Sequence, residues 1–172
     1  GIMAALLGAL LVTTGCEDDG GSSLRDSNVG ANNPDKLVAL GDSITQGTDG
    51  VAPYPSLLPP LIGMTVVNAG VGGQTAAEGL SRAGSLLRRE TPGFMIIFLG
   101  SNDAIQSVPA DTTIANLRTI VQQARANQTV PILTTLPPMV LGHAIFNGHV
   151  RRLNPMIRDL ASSEHVPLAD VA

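Results

Sequence analysis

Two polar residues and a glycine cluster follow apolar runs in this chain, and their types suit acyl-transfer chemistry. Ser43 stands in "VALGDSITQG" (38–47), after a run of small and apolar residues. Asn102 stands in "GSND" (100–103), directly after the apolar "FMIIFL". Between them, "NAGVGGQT" (68–75) carries a glycine cluster that ends at Gly73. Acyl transfer needs a nucleophile and hydrogen-bond donors aimed at the oxyanion that forms on attack. A serine supplies the hydroxyl, and a glycine loop brings a main-chain N–H close with no Cβ in the way. The Asn102 carboxamide is a second donor, and the N–H of Ser43, near a helix start, is a third. Each residue also has a plainer reading when taken alone. Ser43 could cap a helix, the glycines could make a tight turn, and Asn102 could form an Asx turn. Asp42 and Asp103 flank these positions and read as supports: Asp42 bracing the serine turn, Asp103 capping the following helix or loop.

To act together, these residues need a scaffold that brings three segments to one point. From Lys36 onward, short apolar runs alternate with amphipathic stretches. "KLVAL" (36–40), "TVVNA" (65–69), "FMIIFLG" (94–100), "VPILTTL" (130–136) and "VPLADV" (166–171) read as strands. "YPSLLPPLIG" (54–63) is a short helix that Pro59 and Pro60 should cut or kink. "TAAEGLSRAGSLLRRE" (75–90) is helical despite two internal glycines, and "VRRLNPMIRDLASS" (150–163) is helical despite Pro155. Asp111 is placed to cap "TTIANLRTIVQQARAN", whose Ile114, Leu117, Ile120, Val121 and Ala124 share one face. Alternating strands and helices imply right-handed crossovers and an α/β fold with a parallel sheet covered on both faces. In such sheets ligands bind beyond the carboxyl ends of the strands. Ser43, Gly73 and Asn102 all follow strand ends.

"GDSITQG", "VVNAGVGGQT" and "IIFLGSND", in this order and spacing, resemble the first three sequence blocks of the SGNH, or GDSL-type, serine hydrolases. The resemblance covers roughly residues 36–171, including "RRLNPMIRDLASSEHVPLADV" near the end. It implies a flavodoxin-like three-layer α/β/α fold with about five strands, here without its last helix. It implies an esterase, lipase, thioesterase or carbohydrate deacetylase that needs no cofactor and no metal, acting on a small ester. By position, Ser43 corresponds to the nucleophile, Gly73 to the oxyanion glycine and Asn102 to the oxyanion asparagine. The family's base is a histidine three residues after an aspartate, in a loop after the fifth strand. None of the three histidines here fits, since Val140, Phe146 and Ser162 precede His143, His149 and His165 by three. The Asp-x-x-His block is therefore expected beyond Ala172, and little activity is expected of residues 1–172 alone. His143, in the loop after the fourth strand, is the one histidine placed to border the site. Two other readings stay open: a non-catalytic surface binding module on the same fold, and a nucleotide-binding domain. For the latter, Gly70 and Gly72 fit a dinucleotide fingerprint, but Thr75 stands where its third glycine belongs.

Composition narrows the partners. The 172 residues are 44% hydrophobic and 14% charged, enough for one domain with a sizeable core. With no Trp, one Tyr and three Phe, there is no aromatic platform for stacking bases or sugars. A net charge of −4 without a Lys/Arg cluster argues against a nucleic-acid partner. "GIMAALLGALLVTTGC" has the length of a signal-peptide apolar region. Its "VTTGC" resembles a bacterial lipobox, with Cys16 as the lipidated residue. The absence of a basic segment before it suggests that the sequence begins inside a longer leader. Residues 1–16 are thus read as signal peptide and lipobox, 17–35 as a Gly/Ser/Asn/Asp-rich tether, and 36–172 as the hydrolase domain. This places the protein in the cell envelope or outside the cell, touching a membrane only through an N-terminal lipid. As the single cysteine, Cys16 rules out an intramolecular disulfide.

Overall fold

A computed structural model describes residues 27–47 and 52–172. Cys16 and the signal-peptide and lipobox stretch lie outside the described residues, as do the first part of the tether and four residues of the loop after β1. Five parallel strands form one sheet: β1 (Asn33–Gly41), β2 (Thr65–Gly70), β3 (Pro92–Phe98), β4 (Val130–Thr134) and β5 (Leu168–Ala169). Their order is β2-β1-β3-β4-β5, so the chain reverses direction across the sheet after β2. The switch point lies between β1 and β3, where a crevice opens beyond the strand ends.

The register decides what meets there. Gly41 at the end of β1 is level with Gly70 on β2 and with Phe98 on β3. The segments that follow, bearing Ser43, Gly73 and Asn102, therefore leave the sheet at one edge. β3 is buried along its whole length, as expected for a central strand covered on both faces.

The helices are α1 (Ser43–Gln46), α2 (Tyr54–Leu57), α3 (Pro59–Ile62), α4 (Ala76–Glu90), α5 (Ser101–Ile105), α6 (Ala110–Ala126) and α7 (Asn147–Ser163). A 3-10 segment, Leu141–Phe146, leads into α7. The prolines do split the 54–63 stretch, into α2 and α3. Helix α4 starts with a capping box: Thr75 Oγ1 accepts from Glu78 N, and Glu78 Oε2 accepts from Thr75 N at 2.8 Å. Gly79 inside α4 has a packing reason, because a Cβ there would come 2.3 Å from Leu99 Cδ1. Pro155 sits on the exposed side of α7 and leaves that helix continuous. Tyr54 of α2 packs on Phe98 of β3 with ring centroids 5.9 Å apart, and both are buried.

Three expectations need correction. The first strand begins at Asn33, inside the stretch read as tether, because Asn33 N donates to Thr91 O at 2.9 Å and pairs with Pro92. Just before it, Val29 is buried, and Asn32 Nδ2 donates to Asn127 O at 2.6 Å. Asp111 does not cap α6. That helix starts after Pro109, which has no capping side chain, and Asp111 lies in its first turn, where its charge still suits the helix dipole. The last strand spans only two residues, since only Leu133 and Thr134 of β4 pair with it.

Candidate active site

Ser43 is the first residue of α1, and Asp42 is its N-cap. Asp42 Oδ1 accepts from Ile44 N at 2.9 Å, which fixes the sharp strand-to-helix turn. Asp42 is fully buried. Burial pushes its carboxyl up to about 6, although hydrogen bonds from Ile44 N and the Ser101 side chain pull the other way. Among the described residues nothing accepts from or donates to Ser43 Oγ.

The glycine loop is folded against this turn. Gly41 O accepts from Val71 N at 3.0 Å, and Gln46 Oε1 accepts from Gly72 N at 2.7 Å. Asn68 ties the loop's start to α1: its Nδ2 donates to Gln46 O at 3.3 Å, and its Oδ1 accepts from Gly70 N at 2.9 Å. Two glycines are required for different reasons. A Cβ on Gly70 would sit 2.1 Å from Gln46 N, so the loop could not approach α1. Gly73 has φ +79 with nothing within 4 Å of a Cβ built on it. There the left-handed backbone is what favours glycine. Gly72 N is taken by Gln46 and Gln74 N by Val71 O, while the Gly73 N–H has no acceptor among the described residues.

Asn102 lies in the first turn of α5. Its Nδ2 donates to Gln74 O at 3.0 Å and to Asp42 Oδ2 at 3.3 Å. It thereby links the loop after β2 to the base of the serine turn. Asp103 does not cap the helix after it. It is fully buried; its Oδ2 accepts from Ala76 N at 2.8 Å, at the start of α4, and its Oδ1 accepts from Thr113 Oγ1 at 3.0 Å, in α6. Burial raises the Asp103 carboxyl above the ordinary range.

Ser43 and Asn102 line one cavity of about 300 Å³. Its other walls are Ile44, Ser101, Ile105, Pro137, Pro138, Met139, Val140 and His143. His143 packs edge-on against Phe146, with ring centroids 6.3 Å apart. Gly73 does not line this cavity, but its neighbour Gly72 is held against the Ser43 turn: a Cβ on Gly72 would lie 3.9 Å from Ser43 Cβ. The glycine loop commits the Gly72 N–H to Gln46, and the described walls carry no Lys or Arg, which weakens the nucleotide reading. Sequence reasoning missed Gln46 and Gln74. Gln46 lies three residues after Ser43, one helical turn on, which was the available hint for it.

The arrangement has a hydroxyl and a main-chain N–H that are free among the described residues, and a carboxamide donor, set beside an apolar wall. Comparisons with known proteins show the family. The model of the GDSL-like lipase/acylhydrolase family matches residues 39–172. Over 103 residues the chain is 34% identical to the thioesterase 1/protease 1/lysophospholipase L1 of Escherichia coli (strain K12), covering 58% of this chain and 50% of that protein. It thus spans about half the length of that relative. It is 26% identical over 195 residues to the uncharacterized lipoprotein YqeF of Bacillus subtilis (strain 168), covering 94% of this chain and 75% of that one. Among solved structures, a G-D-S-L family protein from Desulfitobacterium hafniense DCB-2 superposes with a TM-score of 0.71 at 31% identity, covering 79% of this chain and 77% of that one. With three motif-bearing loops at one sheet edge and a family match over most of its length, this chain belongs to the GDSL-like lipase/acylhydrolase family.

Proposed function

We propose that the protein hydrolyses carboxylic esters of short acyl groups, with Ser43 as nucleophile. The observation that carries this reading is the cavity shared by Ser43 and Asn102, whose remaining walls are mostly apolar. Ser43 Oγ gives its proton to a base and bonds to the ester carbonyl carbon. The carbonyl oxygen becomes an oxyanion facing the N–H groups of Ser43 and Gly73 and the Asn102 carboxamide. The C–O bond to the alcohol then breaks and the alcohol leaves with the proton. Water hydrolyses the acyl-serine in a second round, releasing the acid and restoring Ser43. The 3.3 Å bond from Asn102 to Asp42 is the longer of its two, and it is the one an oxyanion would displace.

For the proton, the family resemblance calls for an Asp-x-x-His pair, a spacing that none of the three histidines has. We therefore expect slow turnover from residues 1–172 unless His143 takes the proton. His143 earns that second reading by lining the cavity beside Ser43. A nitrophenyl ester of a short acid tests the scheme. Ser43→Ala should abolish turnover, and a serine-directed phosphonate should label Ser43; unchanged turnover in Ser43→Ala would reject it. His143→Ala separates the two sources of the base, since only a base at His143 makes that variant as inactive as Ser43→Ala. Lipidation at Cys16 and an envelope location remain part of this proposal, supported by the "VTTGC" motif and the similarity to a lipoprotein. Among the described residues no helix is long and apolar enough to cross a membrane.

A further inference from the structure

Arg82, on α4, reaches back to the edge of the sheet where the three motif loops meet. Its Nη2 donates to Gly41 O at 3.0 Å, and its Nε donates to Gln74 Oε1 at 2.7 Å. Gly41 ends β1, two residues before Ser43, and Gln74 directly follows Gly73. Gly41 O also accepts from Val71 N at 3.0 Å, so this carbonyl takes one donor from the glycine loop and one from Arg82. The main-chain carbonyl of Gln74 in turn accepts from Asn102. One guanidinium therefore touches the segment bearing Ser43 and the segment bearing Gly73, and reaches Asn102 through Gln74.

The way the charge is used sets Arg82 apart from the other paired arginines. Arg89, Arg118, Arg125 and Arg158 pair with carboxylates, whereas no ion pair among the described residues involves Arg82. Arg82 is half-buried, and desolvation pulls its guanidinium below the ordinary range. A partly desolvated cation spent on two neutral oxygens adds little by attraction between charges. What the planar fork supplies is two donors in fixed directions, which lysine cannot reproduce.

We infer that Arg82 is a positioning residue for ester hydrolysis: it locks the glycine loop to the end of β1, and so sets Gly73 and Asn102 against Ser43. The inference rests on the serine-hydrolase reading above. It assigns Arg82 no contact with substrate and no part in proton transfer. Because geometry in the transition state is at stake, its loss should appear in kcat rather than in KM.

The test compares Arg82→Lys and Arg82→Met with wild type in the full chain. Both variants should lower kcat on a short-chain nitrophenyl ester at least tenfold, with KM within about twofold and the melting temperature within a few degrees. Lysine should not rescue, because a single ammonium cannot serve Gly41 O and Gln74 Oε1 in the fork's geometry. A wild-type kcat in Arg82→Lys overturns the inference, and so does a loss of kcat that only tracks a lost folded fraction. A second readout is independent of turnover: the side-chain amide resonances of Asn102 in a ¹H–¹⁵N spectrum. They should shift in both variants, and unshifted resonances overturn the inference whatever the activity. If wild type shows no Ser43-dependent turnover while these resonances shift, the hydrolase reading falls and the coupling of Arg82 to Asn102 stands.

Discussion

The Asn102 carboxamide donates to the Gln74 main-chain carbonyl at 3.0 Å, which joins the loop after β3 to the loop after β2. Neither partner needs the other to fold locally, since Asn102 belongs to α5 and Gln74 closes a turn onto Val71. The bond therefore aligns two loops, and both of its ends sit at the candidate oxyanion site.

Removing that carboxamide should cost catalysis more than stability. Asn102→Ala should lower kcat on a short-chain ester by roughly 10²–10³, as expected for loss of one oxyanion donor. KM should stay near the wild-type value. A loss confined to KM would assign Asn102 to substrate binding instead.

Asp42 should make the protein less stable as pH rises. Its native carboxyl sits at about 6, above an ordinary 3.8, so the folded state holds the proton more tightly than the unfolded state. The stabilisation is complete below about 3.8 and is lost as pH climbs through about 6. By pH 7 the buried charge costs on the order of 3 kcal/mol relative to the neutral acid. Asp42→Asn removes this titration. The melting temperature of the variant minus that of wild type should therefore rise between pH 4 and pH 7 and level off above. A flat difference across that range would show that the carboxyl is not held up.

The strands and long helices were readable because apolar runs and one-sided apolar faces survive in one dimension, as in β3 and α6. That Ser43, Gly73 and Asn102 follow strand ends was readable because each comes after such a run, and register alone brings those strand ends level. What was hidden depends on partners far along the chain. Asn33 becomes strand because Thr91 and Pro92 offer it a ladder, although its polar neighbours read as tether. Asp103 serves α4 and α6 at once, which no local capping rule foretells. Nothing local to Arg82 shows that its fork meets Gly41 O and Gln74 Oε1 once α4 is laid across the end of β1.

Two glycines in one loop should respond differently to alanine. At Gly70 the new Cβ would meet Gln46 N at 2.1 Å, so α1 and β2 must separate. Gly70→Ala should cost about 2–4 kcal/mol, in the range of strain and overpacking. At Gly73 the Cβ points into open space and only the φ of +79 opposes it, so Gly73→Ala should cost about 1 kcal/mol. Denaturant melts of the two variants check the ranking. Equal losses would mean that the loop, rather than the contact with Gln46, absorbs the strain.

Asn154 links stability to the cavity wall. It is nearly fully buried in α7; its Oδ1 accepts from Leu136 N at 2.8 Å and its Nδ2 donates to Leu136 O at 2.9 Å. Leu136 directly precedes Pro137, where the wall of Pro137, Pro138, Met139 and Val140 begins. Asn154→Ala leaves a buried N–H and a buried carbonyl unpaired, at about 2–4 kcal/mol for the pair. For a chain of this size that lowers the melting temperature by about 5–12 °C. Below the transition, KM for the ester should rise severalfold as the wall loosens, while kcat falls less because Ser43 and Asn102 are held by other bonds. A variant that melts early with an unchanged KM would separate the anchor from the substrate cavity, leaving Asn154 a role in stability alone.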